Sequence, residues 1–304
     1  MKHKILIATT SFGKDNPEPL EQCKRGNDVV KNQFGRKLGG RELLCLGRDV
    51  DGIIAGTELY DKSVLGKLPR LKVISRCGTG MDNINLDATS ALGIKVYNTP
   101  DAPTVAVAEL TMALMLDLLR KVSAMDRNLR TGVWDKKMGY LLKGKKTGIV
   151  GFGRIGKKVA GFLRSFETEI AYYDISIDEA SAYRYMPLCE LLSWADIITM
   201  HCSAPAGGKT IIGKDELRLL SKCAFLVNTS RGGLIDEKAL YDSLKNNRLR
   251  GAALDIFEKE PYRGPLRELD NVILTPHIGS YAKEARIEME IQAVKNLLDG
   301  LKIK

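Results

Sequence analysis

Thr147-Gly-Ile-Val-Gly151-Phe-Gly-Arg-Ile-Gly156 decides how this chain reads. A short apolar run passes into glycines spaced G-x-G-x-x-G, and residues 157–166 continue as a helix with Val159, Phe162 and Leu163 on one side. In a strand–loop–helix of this kind Gly151 permits the tight turn, Gly153 lets a pyrophosphate approach the backbone, and Gly156 lets helix and strand pack closely. The start of the helix offers unpaired N–H groups and a partial positive charge to phosphate. The next apolar run, residues 170–173, ends at Asp174. A carboxylate at that place accepts hydrogen bonds from ribose hydroxyls and repels a 2′-phosphate, so the pattern favours NAD over NADP.

On either side of this loop the chain repeats one pattern. Apolar runs at residues 4–8, 52–55, 71–75 and 94–97 precede it, and runs at 195–200, 224–227, 251–254 and 272–274 follow, separated by helical segments such as Glu237–Lys245. Continuous apolar runs of this length suit strands buried on both faces of a parallel sheet. Repeated strand–helix units predict a doubly wound α/β fold. The segment holding Leu59, Val64, Leu65 and Leu68 reads as a helix packed on the first sheet. At Asn98-Thr-Pro-Asp-Ala-Pro103 a loop leads into a long helix whose apolar residues, from 105 to 119, occupy nearly every face. Such a helix runs through a domain or forms a subunit interface. A last helix covers residues 282–301.

With 304 residues the chain exceeds what one hydrophobic core usually organises, so two domains are expected. The net charge is +10, from 47 basic and 37 acidic side chains, but the basic residues are interspersed with acids and form no block. That distribution argues against a nucleic-acid partner and leaves room for a small anionic ligand. The six cysteines include no C-x-x-C pair, and three histidines give no zinc spacing, so no metal is expected. Reduced thiols in a cytoplasmic protein fit this usage. The N-terminal apolar run is too short for a signal peptide, and the stretch at 105–119 is interrupted by Glu109, Thr111 and Asp117, so no membrane partner is expected.

In open α/β sheets the ligand lies beyond the carboxyl ends of the strands. His201, Arg231, Asp255 and His277 each stand at or just after the end of an apolar run, and Glu260 follows in Asp-Ile-Phe-Glu-Lys-Glu-Pro. A single such residue is commonly a surface charge or a helix cap. Four strand ends furnished in this way point instead to chemistry. A cation, a carboxylate and a histidine beside a nucleotide loop can move a hydride and a proton off a hydroxy acid.

Taken in order, Arg76-Cys-Gly-Thr-Gly-Met-Asp-Asn83, the glycine loop with Asp174, Asn228-Thr-Ser-Arg-Gly-Gly-Leu-Ile-Asp236, Ala253-Leu-Asp-Ile-Phe257 with Glu260-Pro261, and Thr275-Pro-His-Ile-Gly-Ser280 give the chain its resemblance to a family. It resembles the NAD-dependent D-isomer-specific 2-hydroxyacid dehydrogenases from Lys4 to the last helix, and most of all the catalytic core of the D-3-phosphoglycerate dehydrogenases. The resemblance implies a Rossmann NAD-binding domain, residues 98–278, inserted into a flavodoxin-like substrate domain formed by residues 1–97 and 279–304. It also implies a substrate cleft whose closure excludes water, and a homodimer built on the long helix.

The roles implied are these. Arg231 holds the substrate carboxylate and polarises the C2 oxygen, and His277 takes the hydroxyl proton or returns it. Glu260 hydrogen-bonds His277, fixing its tautomer and favouring the imidazolium. Backbone amides near Cys77, Gly78 and Thr79 bind the substrate carboxylate. The cofactor is met by Gly151, Gly153, Arg154, Ile155, Gly156, Asp174, His201, Cys202, Thr229, Ser230, Arg231, Asp255, His277 and Gly279, with Asp255 on the nicotinamide side. His3 is read as solvated, and His201 as a residue beside the cofactor rather than the acid–base.

Departures from the family's pattern bear on the substrate. Relatives read His-x-Pro after the fourth strand, whereas this chain reads His201-Cys-Ser-Ala-Pro205, so the turn around adenosine or ribose is expected to differ. Phosphoglycerate dehydrogenases often carry Arg-Ser near the end of the second substrate-domain strand to grip phosphate; here the stretch is Ala55-Gly-Thr-Glu58. A phosphate grip would then fall to Arg36, Lys37, Arg76 or a partner-subunit lysine. With Lys304 as the last residue, no C-terminal regulatory domain is expected. The leading expectation is oxidation of D-3-phosphoglycerate or its reverse. Reduction of hydroxypyruvate, glyoxylate or another 2-keto acid is the alternative, and an NAD(H)-sensing co-repressor-like protein is a rival from another class.

Overall fold

The computed structural model describes residues 2–204 and 208–302; Pro205, where the unusual turn ends, and the terminal Met1 and Lys304 lie outside the described residues. The chain divides into two compact units, residues 1–103 with 280–304 and residues 104–279. The boundaries read from the sequence, 97/98 and 278/279, thus become 103/104 and 279/280. The first moves because the loop through Pro103 stays with the first unit until the long helix begins at Thr104.

The first unit opens with β1 (Lys4–Ile7), α1 (Glu18–Lys24), β2 (Asp28–Lys31), α2 (Gly40–Gly47), β3 (Gly52–Ala55), α3 (Lys62–Leu65), β4 (Val73–Arg76), α4 (Leu86–Ala91) and β5 (Lys95–Tyr97). The second unit follows with α5 (Thr104–Arg120), α6 (Val122–Arg130), β6 (Lys146–Val150), α7 (Arg154–Ser165), β7 (Glu169–Tyr173), β8 (Arg184–Tyr185), α8 (Leu188–Trp194), β9 (Ile197–Met200), α9 (Lys214–Leu219), β10 (Phe225–Asn228), α10 (Glu237–Lys245), β11 (Gly251–Leu254), a 3-10 turn (Pro265–Glu268) and β12 (Val272–Leu274). The last helix, α11 (Lys283–Leu301), belongs to the first unit.

Both sheets are parallel throughout. The first has the order β2-β1-β3-β4-β5, the flavodoxin-like arrangement. Ile5, Ile7, Ile54 and Val73 face α11, where they meet Met289, Val294 and Leu297, while Leu6, Ile53 and Ile74 face Leu43, Val64 and Leu65. This two-sided burial explains why the strands read as unbroken apolar runs. Gly52 lets α11 approach, since a Cβ there would stand 2.8 Å from Leu297 Cδ1.

The second sheet has the order β12-β11-β10-β9-β6-β7-β8, a Rossmann arrangement extended by one strand. Ile149 and Val227 bury against α5 and α7, and Val150 and Leu226 against the α8–α10 side. The register matters most for function. Tyr173, Val150, Met200, Asn228, Leu254 and Leu274 are paired in sequence across the sheet. The residues that follow them, Asp174, Gly151, His201, Thr229, Asp255 and Thr275, therefore form one row along the carboxyl edge.

One helix reading needs correction. The helix expected around Leu59 to Leu68 shrinks to α3, four residues capped by Asp61, whose Oδ1 accepts from Val64 N–H at 2.9 Å, and Leu59 is exposed. Helix α5 leaves Val105, Glu109, Ala113 and Arg120 as an exposed stripe, so of the two readings of this helix the subunit interface stays open. Among the described residues no helix is long and apolar enough to cross a membrane, and no group of side chains is arranged to hold a metal ion.

Candidate active site

The glycine loop joins β6 to α7, and its three glycines answer to different demands. Gly151 has φ +95° and donates its N–H to Tyr173 O at 2.8 Å. A Cβ on it would stand 2.4 Å from Cys202 N, and one on Gly156 would stand 2.2 Å from Gly151 O, so the fold itself requires both. Gly153 is different: a Cβ there would meet nothing within 4 Å. It is also the N-cap of α7, with no side-chain cap hydrogen bond, and Arg154 and Ile155 form the first helical turn. An open backbone edge at an uncapped helix start is the cradle a pyrophosphate needs. The residues present fit a dinucleotide.

Asp174 sits where β7 ends. Its Oδ2 accepts from Phe152 N–H at 2.6 Å, inside the glycine loop, and its Oδ1 accepts from Ser176 N–H at 3.3 Å. Two carboxylate oxygens carry about four acceptor positions, so capacity remains for ribose hydroxyls.

Beyond β9, His201 is buried, and its Nε2 lies 2.9 Å from Thr199 Oγ1. Its Nδ1 is enclosed with no hydrogen-bond partner. Burial pushes the ring down to about 3, so it is neutral near pH 7. A ring held in this way is hard to protonate, which counts against His201 as the group that gives a proton in reduction. Cys202 beside it is pushed up to about 11, chiefly by burial, and stays a thiol.

The loop after β10 is tied by Asn228, which the sequence reading quoted without assigning a role. Its Oδ1 accepts from Ser230 N–H (3.0 Å) and Ser230 Oγ (2.9 Å), and its Nδ2 donates to Arg231 O at 2.9 Å. The asparagine closes a side-chain turn that presents Arg231, a use to which Asn is suited. Thr229 Oγ1 lies 2.9 Å from Thr111 Oγ1 on α5, a buried contact that no local pattern could reveal. The Thr229 and Ser230 hydroxyls thus serve the loop.

Asp255 has a structural task that the sequence did not suggest. Expected to meet the cofactor, it is 0% exposed, and its oxygens are engaged by the chain. Oδ1 accepts from Thr275 Oγ1 (2.6 Å) and Ile278 N–H (2.8 Å), and Oδ2 from Gly279 N–H (2.8 Å). Burial raises this carboxyl, and the three hydrogen bonds oppose the rise. Its task in this structure is to build the loop that holds His277, and Gly279 contributes its N–H to the same end. His277 adopts φ +56°, a left-handed conformation, and its N–H donates to Asp255 O at 2.9 Å. A non-glycine residue held there needs such surrounding bonds.

The sequence placed Arg231, Glu260 and His277 as partners. Glu260 Oε2 lies 2.9 Å from His277 Nδ1, and Glu260 Oε1 accepts from Phe257 N–H at 3.2 Å. A carboxylate can only accept, so Nδ1 carries a proton and Nε2 is the atom left for exchange.

In the first unit, Cys77 N–H donates to Ala55 O (2.9 Å) and Gly78 N–H to Thr99 Oγ1 (2.8 Å). These two amides, expected to bind a substrate carboxylate, are committed to the fold. Thr79 N–H has no partner among the described residues. The cations considered for phosphate are placed as follows. Arg36 makes a double contact with Glu42 at 2.6 and 2.9 Å, and Arg76 Nη1 donates to Cys77 O. Glu58, after β3, is 2% exposed and accepts from Gly56 N–H at 2.8 Å.

Comparison with known proteins adds an independent line. Residues 112–279 match the family described as "D-isomer specific 2-hydroxyacid dehydrogenase, NAD binding domain". A D-3-phosphoglycerate dehydrogenase of Methanocaldococcus jannaschii is 43% identical over 293 residues, which are 93% of this chain but 54% of that protein. A glyoxylate reductase of Thermofilum pendens is 39% identical over 94% of this chain and 89% of its own length. The crystal structure of a glyoxylate reductase from Paecilomyes thermophila superposes with a TM-score of 0.89 at 28% identity, covering 99% of this chain and 96% of that one. The chain thus spans about half the length of the phosphoglycerate dehydrogenase it matches.

Proposed function

The chain belongs to the D-isomer specific 2-hydroxyacid dehydrogenase family, and from that premise we propose that it reduces a small, unphosphorylated 2-keto acid of the glyoxylate or hydroxypyruvate class with NADH, reversibly. The observation that carries the acid–base assignment is the 2.9 Å pairing of Glu260 with His277 on the sheet edge that also bears the glycine loop. When bound, the nicotinamide cofactor supplies the hydride in reduction and accepts it in oxidation. Arg231, planar and always charged, grips the substrate carboxylate and C2 oxygen. His277 gives a proton from Nε2 to that oxygen in reduction and takes it back in oxidation. Glu260 holds Nδ1 and balances the charge of the protonated ring.

The substrate class rests on the end of β3. A buried carboxylate, Glu58, stands where the resemblance led us to look for a phosphate-gripping cation, and Arg36 is already paired. Two negative groups brought together oppose each other, which disfavours a phosphate there. D-3-phosphoglycerate oxidation is the second reading, supported by the 43% identical relative. Following NADH oxidation with glyoxylate, hydroxypyruvate and 3-phosphohydroxypyruvate tests the choice. We expect kcat/KM for an unphosphorylated acid to exceed that for the phosphorylated one by about tenfold or more. The opposite order favours the second reading, and oxidation with none of them removes the activity.

We also propose a homodimer. The segment from α6 onward exposes Val122, Leu129, Val133, Trp134, Met138 and Leu141, with Trp134 78% exposed and Met138 88%. An apolar stretch of this extent is uncommon on a monomer's surface. Sedimentation at micromolar concentration checks it; a monomer there would count against it.

A further inference from the structure

The peptide joining Phe257 to Glu258 is where the segment bearing Arg231 meets the segment bearing Glu260. On one side lies Gly232, next to Arg231. A Cβ there would stand 2.0 Å from Phe257 O and 2.8 Å from Glu258 N, so only glycine lets the two backbones touch. Phe257 N–H donates to Glu260 Oε1 at 3.2 Å, and Glu258 N–H donates to Glu237 Oε1 at 2.7 Å. Glu237 is the first residue of α10, whose start is fixed by Asp236 accepting from Ala239 N–H at 2.9 Å. One carboxylate therefore fastens the strand-to-helix segment that carries Arg231 to the loop that carries Glu260.

An acid in a first helical turn is ordinary, since it meets the helix dipole favourably. This one does more than that. It is half-buried and shares its surroundings with the carboxylates of Glu258 and Glu260 and the phenol of Tyr262. Burial raises its pKa first, Glu258 and Glu260 raise it further, and the Glu258 N–H bond opposes them. Glu258 and Glu260 thus stand near enough to oppose the ionised form of Glu237, and Glu260 is bonded to the ring of His277.

We infer that Glu237 is a positioning residue for the reaction: it holds the Glu260 loop against the Arg231 segment, so that Glu260 meets His277, and it adds negative charge beside that pair. This rests on the reading of Glu260 and His277 as the acid–base pair. Glu237→Ala removes both the acceptor and the charge, whereas Glu237→Gln keeps an oxygen for Glu258 N–H and removes only the charge.

Both variants are compared with the wild type and with His277→Gln as full chains, by kcat, the pH profile of reduction, NADH binding by fluorescence titration, and melting temperature. Glu237→Ala should lower kcat on the order of tenfold or more, as displacement of a reacting group does. NADH affinity should be kept, and the pH at which reduction fails should move downward. Glu237→Gln should recover most of kcat and keep the displaced pH limit. A Glu237→Ala enzyme with wild-type kcat and pH profile overturns the inference. So does an equal loss in both variants that follows melting temperature and NADH affinity. If His277→Gln also keeps kcat, the acid–base reading falls with it; if His277→Gln alone loses kcat, only the role of Glu237 falls.

Discussion

His277 Nδ1 and Glu260 Oε2 lie 2.9 Å apart in side chains that are 45% and 36% exposed. The pair is open enough for Nε2 to reach a ligand, and the backbone beneath it is held by Asp255, which is wholly buried. A rigid base under an accessible ring is what proton transfer to a bound substrate needs. Replacing His277 by Gln removes the proton carrier while leaving the glycine loop untouched. We expect kcat to fall by about a hundredfold or more with NADH binding retained. Near-normal kcat in that variant would take His277 out of the mechanism.

Glu260→Gln should change the pH dependence more than the ceiling of activity. Without the carboxylate the protonated ring loses its counter-charge and is harder to form. Reduction, which needs the protonated ring, should then fail at lower pH than in the wild type. Oxidation, which needs the neutral ring, should begin at lower pH. Because both side chains are more than a third exposed, solvent screens the pair and the displacement should be modest. An upward displacement would contradict the pairing.

Asp174 lies where a ribose hydroxyl is expected, and it also accepts from Phe152 N–H at 2.6 Å. NAD(H) should therefore be preferred over NADP(H), since a 2′-phosphate would meet a carboxylate. Asp174→Ala should narrow the gap mainly by weakening NAD binding, because it removes an acceptor and loosens the loop at once. Comparable kcat/KM for the two cofactors in the wild type would refute the preference.

Much of this arrangement was legible beforehand because parallel strands buried on both faces leave unbroken apolar runs, and the runs end where the site begins. Gly151, Asp174, His201, Asp255 and Thr275 could be located in this way, and the register then aligned them along one edge. What escaped notice depends on contacts distant in sequence or on edges. Strand β2, Asp28–Lys31, is a sheet edge with charged ends and gives no apolar run. The Thr111–Thr229 contact joins residues 118 apart in the sequence. Asp255 stands at a strand end like the others, yet the sequence could not tell that its oxygens turn toward the neighbouring loop.

That placement makes Asp255 testable without any cofactor. Asp255→Ala would leave Ile278 N–H, Gly279 N–H and the Thr275 hydroxyl without their acceptor. A buried donor left unmet costs about 1–3 kcal/mol; Gly279 N–H is buried and the other two are part-buried, so the second unit should lose at least about that much stability. Denaturant unfolding in the absence of NAD reads this directly. A residue that only touched the cofactor would leave that measurement unchanged, and an unchanged midpoint would remove the structural role of Asp255.

His201 offers a test from stability at acid pH. Its ring sits at about 3 in the folded chain against an ordinary value of 6.5, because burial disfavours the charged form. Below pH 6.5 the unfolded chain therefore binds a proton that the folded chain refuses, and stability falls as the pH falls toward 3. His201→Gln, which can still hydrogen-bond Thr199, has no such proton to gain. Between pH 6.5 and pH 5 the wild type should lose roughly 1–2 kcal/mol more than this variant, measured by denaturant unfolding. The comparison cancels the other titrating groups, since only residue 201 differs. A constant difference across that window would mean that His201 is not held neutral, and it would become a second candidate for the proton that His277 is taken to carry.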